Sequence, residues 1–134
     1  MRRIAVIAVS ALAALGLTVG TADAATNHPV KASAKGAQVT GYWHWAKDSK
    51  GKTRRWLHTT IKDTAKDGRS GAICYTTGAT KPTTKSKYSC ILNTKGAGRS
   101  YTIAGWADFG HFWYTAASVK KLVIYTQSTP KKAW

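Results

Sequence analysis

Between Gln38 and Thr126 no stretch of this chain holds a helical period, while short β-branched and aromatic runs recur between clusters of Gly, Asp and Ser. A chain so patterned is confined to an all-β fold. Strands are predicted over Gln38–Lys47, Thr53–Lys62, Gly71–Thr77, Tyr88–Asn93, Ser100–Trp106 and Ser118–Thr126. The connectors carry turn chemistry: Asp48-Ser49-Lys50-Gly51 closes a hairpin, Asp63 to Gly68 makes a second turn, and Lys95-Gly96-Ala97-Gly98 a third. Six or seven short strands in about 110 residues predict a small antiparallel sandwich or barrel-like domain.

The first hairpin can be taken further. If Lys47 pairs with Thr53, then Trp43 faces Leu57 and Val39 faces Ile61, which gathers the apolar residues on one side of the ribbon. The other side then presents Tyr42 opposite His58 and His44 opposite Trp56, with Lys62 at one end. A slip of one residue would mix apolar and polar groups on both sides. Flat rings beside cations suit stacking on sugars or bases and attraction to phosphates or carboxylates. Tyr42, His44, Trp56 and His58, with Arg54, Arg55 and Lys62, are therefore the expected ligand-binding residues. The competing expectation is that Trp56 and Tyr42 pack against a second sheet.

The N-terminus reads as a secretory signal peptide: Met1-Arg2-Arg3, an uncharged apolar run from Ile4 to Val19, and small residues ending in Ala22-Asp23-Ala24. Cleavage is expected before Ala25, leaving an exported, soluble protein with no transmembrane segment. In an oxidising compartment the two cysteines, Cys74 and Cys90, are expected to form one disulfide. The expected organisation is a leader over 1–24, a flexible arm over 25–37, one β domain over 38–127 and a frayed tail over 128–134.

Charge points to a class of partner. Leaving out the leader's Arg2, Arg3 and Asp23, 19 Lys and Arg residues face four Asp, and Glu is absent, for a net +15. Such an excess opposes compaction and attracts polyanions, nucleic acid included, without selecting among them. Any selectivity falls to the aromatic face.

Catalytic and metal chemistry find little support. Of the four carboxylates only Asp108 lies outside a predicted turn, against the two placed carboxylates that a glycosidase needs. Asp108 and His111 form a conceivable carboxylate and base within Trp106–Tyr114, although that aromatic stretch reads better as a lid over one end of the core. A ribonuclease-like site would have only His44, His58 and Lys62 to work with. Asp63-Thr64-Ala65-Lys66-Asp67-Gly68 lacks the alternating oxygens of a calcium loop and reads as a turn whose Asp side chains bond local amides. No cofactor and no metal are expected.

The order of leader, a strand running into Asp63-Thr64-Ala65-Lys66-Asp67-Gly68, then Ala72-Ile73-Cys74 and Gly96-Ala97-Gly98 before an aromatic strand resembles small secreted proteins of filamentous actinobacteria. The resemblance spans roughly Leu57 to Tyr125. It implies a β-sandwich with an Asp-Thr-x-x-Asp-Gly turn and no established activity. The resulting expectation is a secreted, non-catalytic module that binds an anionic polymer of the cell wall or extracellular matrix. The alternative is an interaction protein, either an inhibitor that presents the loop Gly78–Lys87 to a secreted hydrolase or an antimicrobial.

Overall fold

The computed structural model describes residues 26–134, so the expected leader lies outside the described residues. Nine antiparallel strands form two sheets: β1 (His28–Ala34), β2 (Ala37–Lys47), β3 (Thr53–Asp63), β4 (Ser70–Thr76), β5 (Ser89–Asn93), β6 (Ser100–Trp106), β7 (Trp113–Lys120), β8 (Val123–Gln127) and β9 (Lys131–Lys132). One sheet runs β1-β2-β3-β6; the other runs β5-β4-β7-β8, with β9 also on β7. The all-β sandwich with one disulfide is thus the observed fold. Its strand count exceeds the expected six or seven for three local reasons.

The first is the arm. Residues 28–34 are not flexible: Val30 and Ala32 alternate inward as β1 and are 1% and 2% exposed. The second is the expected strand Ser118–Thr126, which is two strands joined at Lys121-Leu122, with β7 reaching back to Trp113. The third is the tail. Instead of fraying, it forms β9, and its last ring, Trp134, stacks on Phe112 at 4.9 Å.

The first hairpin has the register that its side-chain pattern demands, with Lys47 opposite Thr53, Trp43 opposite Leu57 and Val39 opposite Ile61. Those apolar residues meet Ile73, Tyr114 and Ala116 of the second sheet to form the main core. Asn93, fully buried, ties the sheets by donating from Nδ2 to the carbonyls of Ile61 (2.9 Å) and Arg99 (2.7 Å). It satisfies its own polar atoms in doing so, as a buried amide must.

The second sheet is covered on both faces. A smaller cluster of Ala72, Cys74, Ala117 and Val119 lies on its far side under Tyr88, Leu92 and Ile124. Cys74 and Cys90 are direct cross-strand partners there, joined by the disulfide. The turns also follow their chemistry: Asp63 Oδ1 accepts from the amide of Ala65, Asp67 Oδ1 from that of Arg69, and Gly68 takes φ +77°.

Candidate binding face on the open sheet

Side chains alternate across a strand, so packing the odd-numbered residues of β2 and β3 inward turns the even-numbered ones outward. Among the described residues no strand packs over that outer face, and Tyr42, His44, Trp56 and His58 stand on it half-exposed. The second sheet covers the opposite side, so these rings are not interior. The Tyr42 ring lies between two imidazoles, stacked on His58 at 5.1 Å and on His44 at 5.6 Å. His44 Nδ1 is 3.0 Å from Asn27 Oδ1, which fixes that ring from the N-terminal side.

β6 extends the face. Trp106 pairs with Trp56 in register, and the indoles meet edge to face at 4.9 Å. Threonines Thr40, Thr60 and Thr102 make a polar row one outward pair beyond Tyr42 and His58, with Thr60 Oγ1 and Thr102 Oγ1 at 2.9 Å. Lys31 of β1 opposes Thr40 and completes that row with a cation.

The expected cations separate. Arg54 sits at the edge of the face, 4.9 Å from the Trp106 ring centre, but it is already engaged. Its Nε donates to Asp108 Oδ1 at 3.0 Å and its Nη1 to Asp48 Oδ2 at 3.2 Å. Its hydrogen bond to Asp108 holds the guanidinium above its ordinary value. In return Arg54 lowers the Asp108 carboxyl, while Asp48 is lowered first by the amide of Lys52 and also by Arg54. Asp108 therefore serves Arg54; among the described residues no hydrogen bond joins it to His111.

Arg55 does not belong to the face. It points to the other side of the strand, where its guanidinium lies over Trp45 (4.5 Å), Trp134 (4.9 Å) and Trp43 (5.7 Å) and donates to the Phe109 carbonyl at 3.1 Å. Burial pulls its guanidinium below the ordinary value. Lys62 is on the outer face but at its far end, four residues from His58, about 13 Å along the strand. A ribonuclease-like triad of His44, His58 and Lys62 is not assembled.

Two features of this region escape the sequence reading. Lys31 lies among residues expected to be flexible, where the alternation of Val30, Ala32 and Ala34 is only a faint strand signal. An apolar cleft of about 220 Å³ opens between β6 and the second sheet, lined by Leu57, Ile73, Tyr75, Ile103, Phe109 and Phe112. It depends on contacts between distant strands, which no local pattern encodes. Trp106–Tyr114 does cover one end of the core, with Ala107 and Phe112 buried. Among the described residues no group of three or more His, Cys, Asp or Glu is placed to hold a metal ion, and no helix is long and apolar enough to cross a membrane.

Comparison with protein-family models, curated proteins and solved structures finds no significant match for this chain.

Proposed function

We propose that this chain is a secreted, non-catalytic module that binds an anionic polymer of the cell wall or extracellular matrix through the open face of its first sheet. The observation that carries this reading is the array of half-exposed Tyr42, His44, His58 and Trp56 with exposed Trp106, on a sheet face that no strand covers among the described residues. Stacking rings supply selectivity, and charge supplies attraction. The charge is available: among the described residues Arg54 alone is ion-paired, which leaves 18 Lys and Arg side chains without a carboxylate. The disulfide supports an oxidising, extracellular setting.

The test is affinity for a purified teichoic acid, heparin and single-stranded RNA across a salt series. Affinity should fall steeply with salt for any polyanion, since counterions are released on binding. For the preferred polymer alone, Trp56→Ala and Trp106→Ala should each weaken binding about tenfold while leaving the salt slope unchanged. Variants that bind every polymer as the parent does would remove the face from the reading.

A second reading, an inhibitor or other interaction protein, draws on the disulfide-flanked loop Gly78–Lys87. Pro82 is buried and the amide of Thr83 donates to Ser86 Oγ at 2.9 Å, so this loop is held in one shape.

A further inference from the structure

The sandwich pole away from the Asp48–Gly51 hairpin combines an exposed apolar tip with unpaired cations. β7 and β8 are joined by two residues only, Lys121 and Leu122, with φ of 50° and 65°. Asn and Gly are the ordinary occupants of such a turn, because a larger side chain strains the left-handed backbone. Leu122 is nevertheless there, 93% exposed, with Val123 and Tyr125 about half exposed beside it. An apolar side chain at the outermost point of a turn that disfavours it calls for a role outside the fold.

The surroundings are cationic. The β1–β2 turn lies against Ser118 and Ala65 at Gly36, Lys120 Nζ is 3.9 Å from the Cβ position of Gly68, and the Gly98 amide donates to the Asp63 carbonyl at 2.7 Å, so four turns converge on this pole. Lys35, Lys66, Arg69, Lys95, Lys120 and Lys121 gather there. Arg69 is braced over the Tyr125 ring at 4.1 Å and Lys95 over Tyr101 at 5.7 Å. The carboxylates at this pole are Asp63, which is 3% exposed and bonded to the Ala65 amide, and Asp67, bonded to the Arg69 amide. Neither pairs with a cation.

We infer that this pole docks on an anionic phospholipid bilayer, with Leu122 and Val123 entering the headgroup boundary and the lysines and arginines resting on the phosphates. Each half of the arrangement needs the other. A soluble phosphate chain offers Leu122 nothing, and an apolar protein pocket would have to bury six unpaired cations around it. A bilayer with acidic headgroups takes both, and an amphipathic ring such as Tyr125 suits the same boundary. The pole is separate from the Trp56 face, so the two readings stand or fall independently.

The test uses residues 26–134, which contain both sheets and the buried side chains that join them. Sedimentation is measured with vesicles of phosphatidylcholine alone and with about one third phosphatidylglycerol. The parent should bind only the acidic vesicles. Leu122→Asn should weaken that binding at least about tenfold while the unfolding temperature holds or rises, because Asn accepts the left-handed turn. Trp56→Ala should bind the vesicles as the parent does. No binding to acidic vesicles, equal binding by Leu122→Asn, or loss on Trp56→Ala instead would each overturn the inference.

Discussion

Arg54 and Arg55 are adjacent, yet strand alternation gives them different work. Arg55 is clamped among three indoles, whose ring faces offset part of the desolvation that its guanidinium suffers there. Arg54 is held by two carboxylates at the mouth of the first hairpin. That pairing sets a pH dependence. Because Asp108 is held below its ordinary value in the fold, its contribution to stability is complete above the usual carboxylate pKa of about 3.9. It is lost as pH falls through the lowered, folded-state value. Asp108→Asn should therefore unfold at a slightly lower temperature than the parent at neutral pH, and the gap should close as the pH falls through the lowered folded-state value. A gap that stayed constant across the acid range would mean that the carboxylate charge is irrelevant there. Spacing legibly assigned Tyr42, His44, Trp56 and His58 to one face because they lie on a single hairpin. It left open what covers that face, since this depends on a sheet whose strands begin at Ser70.

At the level of elements, the strands that could be read are those bounded by turn residues. Asp48 closes its hairpin by accepting from the amides of Lys50 (2.9 Å) and Lys52 (3.0 Å), the chemistry that its position advertises. The β7–β8 turn advertises nothing: Lys121-Leu122 carries no turn signal, so the pattern of Ser118–Thr126 is that of one strand. β1 is hard to read for a different reason: Val30 is its one large aliphatic residue, and only burial against the second sheet makes its weak alternation decisive. The disulfide lies within an element pair and not across the sandwich, so its effect should be local. Replacing Cys74 and Cys90 by Ala should cost on the order of 3 kcal/mol in the chain-entropy account, with a matching fall in the denaturant midpoint. The loss should fall first on β5, which among the described residues pairs with β4 alone. Amide exchange that rose equally across β2 and β3 would contradict a local role.

For the whole molecule, a surface with 19 Lys and Arg against four Asp in residues 26–134 repels itself. Screening should relieve that repulsion, since the Debye length shrinks from about 30 Å at 0.01 M to about 8 Å at 0.15 M. The unfolding temperature should accordingly rise by several degrees over this range, the reverse of its polyanion affinity. A flat or falling trend would show that the cations lie too far apart to interact. The same sandwich also orders events in time. Trp43 stacks on His28 near the start of the described chain, donates from Nε1 to the carbonyl of Ala133, and meets Trp134 at 5.1 Å. Contacts separated by 90 residues are costly to form early, because the whole intervening chain must be closed into a loop. A chain emerging N-terminus first, from a ribosome or through a pore, cannot close this end of its core until Trp134 has emerged. That ring is a late latch: it reaches Trp43 and Phe112 only after every strand between them has been made available.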